Sequence, residues 1–424
     1  MRVMKWSMIA LAVSAGTSQM ALASSQDESK GFLEDSKLNV KTRMLYFSRD
    51  YRNNPAGSQS RVEETGLGFL GTYESGFTQG TVGFGVDAIG MLGLKLDSGK
   101  GRHSTGQFPT DGDGRAQDEF SEGGGAVKMR ISDTVLKYGT QFTALPVLAT
   151  DDSRLLPETV EGALITSSEI KGLTLNAGHF TALNAQSESD HDSLHLKKAD
   201  VVGGTYAFTD NLSTSLYYSK VEDYWRKYYA NVNWALPISD KQGLVFDFNI
   251  YDTKSDGQGL QRAENDGTTK LDNRAFSLSG AYNIGAHTFT LAYQKVTGDG
   301  DYGYGVDGGG TIFLANSVAR SDFNAEDEKS WQARYDLNFA EFGVPGLTFM
   351  TRYVRGSDAN TGTTSNGKEW ERDIDIKYVL QEGPAKDLSF RVRQATYRSS
   401  DGVYYGSPSL DELRLIVEYP LSIL

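Results

Sequence analysis

From residue 37 onward, apolar residues recur at every second position. Near the C-terminus, Leu413, Leu415, Val417, Tyr419, Leu421 and Ile423 share one face, against Glu412, Arg414, Glu418 and Ser422, with Ile416 the exception. Trp331, Ala333, Tyr335, Leu337 and Phe339 oppose Gln332, Arg334, Asp336 and Asn338. Leu244, Phe246, Phe248 and Ile250 oppose Asp247 and Asn249, and Tyr228, Ala230, Val232, Trp234 and Leu236 oppose Tyr229, Asn231 and Asn233. A period of two is the signature of strands with one polar and one apolar face. A soluble sandwich buries its apolar faces against each other. An outer-membrane barrel turns them to lipid and lines its lumen with the polar ones.

The connections separate these readings. Eight are compact turns: Ser75 to Gly80, Ile131 to Thr134, Glu169 to Gly172, Phe208 to Asn211, Ile238 to Lys241, Asn283 to Ala286, Phe342 to Gly346 and Glu382 to Asp387. Nine long polar segments alternate with them, near 50–62, 95–122, 139–160, 181–199, 220–227, 252–273, 297–330, 355–371 and 399–411. Seventeen connections imply eighteen strands. Strict alternation of short and long links fits two unlike rims, one periplasmic and one outside. The expectation is an all-β, transmembrane antiparallel β-barrel of 18 strands with short periplasmic turns and long extracellular loops. A soluble cell-surface β-domain is the structural alternative.

Composition narrows the compartment. The chain has 424 residues, no cysteine and 47 glycines. No run after residue 24 approaches the ~20 apolar residues of a membrane helix, and without cysteine there is no disulfide scaffold or thiolate metal site. Arg2 and Lys5, the apolar Met8–Val13 stretch and Ala21-Leu22-Ala23 read as a signal peptide over 1–23, leaving 24–424 as one barrel domain with a short periplasmic segment at its start. Cleavage would remove two bases and no acid, taking the formal charge from −13 to −15. So acidic an exported chain is a poor partner for nucleic acid.

With the apolar face outward, period two places the charges. Lys377, Arg391, Arg393 and Arg414 face inward on the last strands, as do Arg43, Lys128, Arg130, Arg334 and Arg352. Inward acids are fewer, among them Asp247, Asp336, Asp375 and Glu418. Cations in a narrow, low-dielectric passage guide anions. Alternatively, each arginine pairs with a cross-strand acid and braces the wall. For Lys377, Arg391, Arg393 and Arg414 as a group the spacing favours a conducting role, since the four are expected to outnumber the acids near them.

Several segments carry a family resemblance: GTYESGFTQGTVGFGVD (71–87), DFNIY (247–251), AHTFTLAYQK (286–295), FLANS (313–317), SWQARYDLN (330–338), GPAKDLSFR (383–391) and RLIVEYPLSIL (414–424). They resemble the OprD family of outer-membrane carboxylate channels, from Gly31 to the last residue. The resemblance implies a monomeric barrel narrowed by inward-folded third and seventh loops. It also implies a basic ladder for the substrate carboxylate, carried by Lys377, Arg391, Arg393 and Arg414. At the constriction it places Arg49, Arg61 and Arg154, with the acid Asp322 and Ser317 nearby. Arg320 stands where near relatives carry a tyrosine, and the fourth, eighth and ninth loops are short. The function implied is that of a substrate-selective porin for passive diffusion of small carboxylate-bearing solutes, amino acids first and aromatic or other organic acids second. Its partners are outer-membrane lipid and the solutes.

Other motifs carry less. Asp111 to Arg115 with Glu122 imitates a calcium loop, but Arg115 and Ala116 occupy positions that need a ligand and a glycine. His191 and His195 lack a helix to align them on a metal. Gly298 to Gly310 reads as a flexible loop. No nucleophile elbow supports an outer-membrane hydrolase; a purely structural, plugged barrel is the third reading. No catalytic residue, metal or cofactor is assigned.

Overall fold

A computed structural model describes residues 26–424 except 53, 55–56, 100, 262–269 and 401–408. The signal-peptide reading of 1–23 lies outside these residues, as does part of the ninth loop. The described residues form one closed antiparallel barrel of eighteen strands, 8 to 16 residues long, with a two-residue hairpin (Ala144–Leu145 with Leu148–Ala149) inside the third long loop. Closure is made by the first strand, Lys37–Tyr51, which pairs with the second, Arg61–Glu74, and with the last, Leu410–Ser422. A closed sheet leaves no edge, so its ladder N–H and C=O groups are paired within the sheet, as hydrocarbon surroundings require.

Alternation decides the two faces. Leu216, Tyr228, Val232, Trp234, Phe289, Leu291, Trp331 and Val392 are exposed on the outside. Aromatic pairs mark two outward belts. Tyr218–Tyr228, Tyr293–Trp331 and Tyr353–Trp370 lie toward the long-loop rim; Tyr206–Phe208, Trp234–Phe246 and Phe289–Tyr335 lie toward the short-turn rim. Such girdles flank the apolar band of outer-membrane barrels. The eight compact turns all fall at one end.

One long segment is a correction. Residues 220–227 are strand except for 222–224, because Leu212–Val221 and Trp225–Ser239 run on through the polar stretch. Lys220 and Arg226 sit opposite each other on the outer face, whereas Lys227 points inward and is fully buried. The stretch is polar without being a loop: two of its charges lie on the rim and one is paired inside.

The lumen is partly filled by loops. The 142–158 loop spans it between two apolar clusters. Leu145, Val147 and Leu148 join Phe180, Tyr217, Trp225, Tyr229, Tyr251 and Tyr302 on one side. On the other, Leu155 and Leu156 join Leu45, Phe47, Phe108 and Phe120. Ile416, the exception to the outward apolar pattern, packs against this second cluster. Gly68 permits the approach, since a Cβ there would lie 2.9 Å from the Leu155 carbonyl oxygen. At the short-turn end the N-terminal segment is tied to the wall: Gln26 donates to the carbonyls of Thr78 (2.8 Å) and Gly80 (3.0 Å) and accepts from Arg130 (2.8 Å).

Candidate functional site

Register assembles a basic wall from four neighbouring strands: Gly367–Val379, Ser389–Ser399, Leu410–Ser422 and Lys37–Tyr51. Three inward rows, two residues apart, climb toward the long-loop rim. The lowest runs Lys377, Arg391, Ile416, Leu45; the next Asp375, Arg393, Arg414, Phe47; the third Asp373, Ala395, Glu412, Arg49. Neighbours within a row share a face. Lys377, Arg391, Arg393, Arg414 and Arg49 therefore form one diagonal band.

Acids are built into that band. Arg391 and Arg393 both bond Asp375, at 2.6 and 2.9 Å, and Arg49 and Arg414 both bond Glu412, at 2.8 and 2.6 Å. Lys377 forms no ion pair among the described residues. The expectation that these cations outnumber nearby acids holds at two arginines per carboxylate, yet each arginine has an acid partner. The same side chains thus brace the wall and carry its surplus positive charge.

The 142–158 loop brings Arg154 against this wall. The guanidinium carbons of Arg414, Arg49 and Arg154 lie 4.2, 4.7 and 5.3 Å from the Phe47 ring centre. Burial, then the neighbouring Arg414 and Arg49 charges, pulls the Arg154 proton affinity down. Arg154 donates to Ser153 Oγ (2.8 Å) and to the Thr105 carbonyl (3.2 Å). Burial works against ionisation of the preceding Asp152, but Arg43 and Lys41, each at 2.8 Å, hold its carboxyl below the usual range.

The 300–328 loop forms the opposing side. Asp307 and Lys227 meet at 2.7 Å, both 0% exposed, with the ammonium also over the rings of Trp225 and Tyr302. The expected flexible Gly298 to Gly310 segment is therefore a packed anchor, and the alternation of Tyr302 and Tyr304 with glycines was the available signal. Gly308, at φ +96°, crosses the 142–158 loop where a Cβ would collide with the Ala149 carbonyl. Glu158 joins the two loops, accepting from the backbone N–H groups of Asp151 (2.8 Å) and Gly309 (2.9 Å). Burial first, then Asp151 and Asp307, pushes the Glu158 carboxyl up to about 8.

Farther along, the N–H groups of Arg320 and Ser321 donate to Glu371, each at 2.8 Å, and Ser321 Oγ donates to Glu369 at 2.7 Å. Asp322 accepts from Ser317 Oγ (2.6 Å) and from the Tyr304 hydroxyl. Burial raises its proton affinity, against those two hydrogen bonds and a weaker pull from Arg320. The hydroxyls, more than Arg320, hold this acid. Glu158, Lys227, Asp307, Tyr304, Glu369 and Glu371 escape sequence reasoning because their partners lie far along the chain.

The other candidate residues scatter. Arg61 is not at the constriction. Arg49 lies opposite Val62, so Arg61 takes the other face and pairs with Glu63 at 2.6 Å. Lys128 and Arg130 sit at the short-turn end; Lys128 bonds Asp87 (2.7 Å), and both cations lie over Phe77. Arg43 pairs with Glu418 (2.7 Å), Arg334 with Asp336 (2.7 Å) and Arg352 with Asp373 (2.6 Å).

Known proteins share this architecture. A family model described as outer membrane porin, OprD family, matches residues 30–423. Porin D of Pseudomonas aeruginosa is 50% identical, with all of both chains covered. The crystal structure of Acinetobacter baumannii OccAB1 superposes with a TM-score of 0.89 at 36% identity, covering 95% of this chain and all of that one. Pseudomonas aeruginosa OpdK, solved with vanillate, gives 0.81 at 35% identity, covering 92% and all of that chain. The match over nearly the whole length, on a closed eighteen-stranded barrel, places the chain in the OprD family of porins, channels for small solutes integral to the Gram-negative outer membrane and not enzymes.

Proposed function

We propose that this porin selects small solutes bearing a carboxylate, amino acids first, and passes them by passive diffusion. The observation that carries this reading is the diagonal band of Lys377, Arg391, Arg393, Arg414 and Arg49, with Arg154 facing it from the loop. A carboxylate can exchange between the more exposed members of this band, Lys377, Arg391 and Arg393, without being trapped, because the Asp375 carboxylate shared by the two arginines weakens each step; conduction needs binding strong enough to enter and weak enough to leave. At the tip of the 300–328 loop, buried Asp322, held by the Ser317 and Tyr304 hydroxyls, adds a negative potential that favours an ammonium. The eyelet thus orients a zwitterion, and Arg320 tilts it toward neutral and acidic amino acids over basic ones. The chain works as a monomer, exported by the 1–23 signal peptide, with 24–424 as a single domain.

Liposome swelling with amino acids, aromatic acids and neutral sugars of matched size tests this. Faster entry of carboxylates is the expected result; equal entry of neutral sugars overturns it. The second reading, aromatic carboxylates, has one favouring observation: the solved OpdK relative holds vanillate, an aromatic carboxylate. In the same panel it predicts aromatic acids ahead of amino acids.

A further inference from the structure

Resting on the selectivity reading above, we propose that Arg414 is a bracket that clips both constricting loops to the wall, a positioning residue and not a stepping charge of the ladder. Every nitrogen of its guanidinium is engaged. Nε donates to Glu412 at 2.6 Å, Nη1 to the Ser153 carbonyl at 3.1 Å, and Nη2 to the Ala319 carbonyl at 3.4 Å. Ser153 belongs to the 142–158 loop and Ala319 to the 300–328 loop. One side chain thus ties two segments, remote in sequence, to one point of the barrel wall. Its flat face lies 4.2 Å from the Phe47 ring centre, so ring and acceptors together fix the plane of the fork.

Arg391 and Arg393 differ in kind. Their side chains are 32% and 33% exposed and share one carboxylate, whereas the Arg414 side chain is 4% exposed. A passing carboxylate is gripped by paired N–H donors. Arg391 and Arg393 have such donors open to the lumen; Arg414 has committed one on each nitrogen to acceptors of the protein. Its bond to Ser153 also fixes the residue before Arg154, and so the loop segment that carries that cation into the passage.

A lysine keeps the charge but is a point donor without the planar fork, so it cannot serve three divergent acceptors in one geometry. Arg414→Lys therefore separates charge from bracket, and Arg414→Gln removes both. The bracket predicts that both variants raise single-channel conductance, by similar amounts, and weaken discrimination against larger solutes. If Lys keeps the parent conductance and anion preference while Gln alone loses carboxylate flux, Arg414 is a stepping charge and the proposal fails. Folded barrel is scored first by heat-dependent gel mobility.

Because the chain has no cysteine, a single Val318→Cys beside Ala319 gives a second readout. Thiol labelling faster in the Arg414→Lys background supports a released loop; equal rates overturn the bracket, even if conductance is lost through poor assembly. Failure of the selectivity reading shows elsewhere, as absent carboxylate preference in the unaltered chain.

Discussion

The two sides of the lumen are built on opposite principles. Along the strands from Leu173 to Asp299 the inward positions nearer the long-loop rim are dry, above a polar network of Asn231, Asn233, Asp247 and Asn249: Tyr217, Tyr229, Tyr251, Trp225 and Val296 pack with Tyr302 and Leu314 of the 300–328 loop. Along the strands from Gly367 to Ser422 and the first strand they are charged. The loop is held to the tyrosine side by dispersion and a buried ion pair. It meets the arginine side through its tip, at Ala319 to Asp322, and through Glu328, which bonds Glu369. A porin of net charge −13 thus gathers arginines on one wall of its lumen, while loop packing fills the other.

Breaking the dry side has the largest expected effect. Lys227→Met leaves Asp307 buried and unpaired, a loss of about 3–5 kcal/mol; the thermal unfolding midpoint should drop and conductance rise. Adding Asp307→Asn should recover most of the loss. A smaller break is Tyr251→Phe. The Tyr251 hydroxyl donates to the Pro146 carbonyl (3.0 Å) and accepts from the Phe313 N–H (3.2 Å), one in each constricting loop. Leaving these unpartnered costs about 1–3 kcal/mol, readable as a lower unfolding midpoint and noisier open-channel current.

On the charged side, Arg391→Ala with Arg393→Ala should lower carboxylate flux and shift the reversal potential toward cations, since Asp375 loses both partners, with barrel assembly intact. Unchanged anion preference in planar bilayers would assign both arginines to wall bracing.

The seam between the sides is tested by pH. Burial pushes the Glu158 carboxyl up to about 8 with the loops in contact; a loop displacement that exposed it would return it to the ordinary carboxylate range, about 4.3. A raised carboxyl favours the closed arrangement most at low pH, and that preference falls as pH rises to about 8. Conductance should therefore increase from about pH 5 to 8, and Glu158→Gln should flatten the profile. The smallest change expected is Arg320→Tyr. If Arg320 biases the eyelet, arginine uptake rises in the variant; unchanged uptake and ion preference assign selectivity elsewhere. Opposite charges ~4 Å apart attract by about 1 kcal/mol in water and about 4 at an effective dielectric of 20, so confinement decides the size of this effect.

Much of the barrel is legible in the chain because strand periodicity is local. Leu413 to Ile423 announce an outward face, and the compact turns at Ile131 to Thr134 or Asn283 to Ala286 announce one rim. Where the pattern breaks, the reason is tertiary. Ile416 points inward because Leu45 lies opposite it and the second apolar cluster packs against it. Lys227 reads as loop because nothing nearby in sequence explains a buried ammonium; its partner is 80 residues away. Arg61 enters through family resemblance, and one residue of register places it on the other side from Arg49.

The sequence by itself determined that the chain makes eighteen alternating strands, which residues share a face, and that the inward faces of the last strands are rich in arginine. A period of two depends only on the geometry of adjacent peptide units. Only the tertiary structure decided which inward groups meet. Arg43 reaches Asp152 across 109 residues, Tyr251 reaches Pro146 across 105, and Arg414 reaches Ser153 across 261. Such contacts are set by barrel closure, strand register and the path of two loops through the lumen. No local pattern encodes them, because each exists only where the folded wall and loops come into contact.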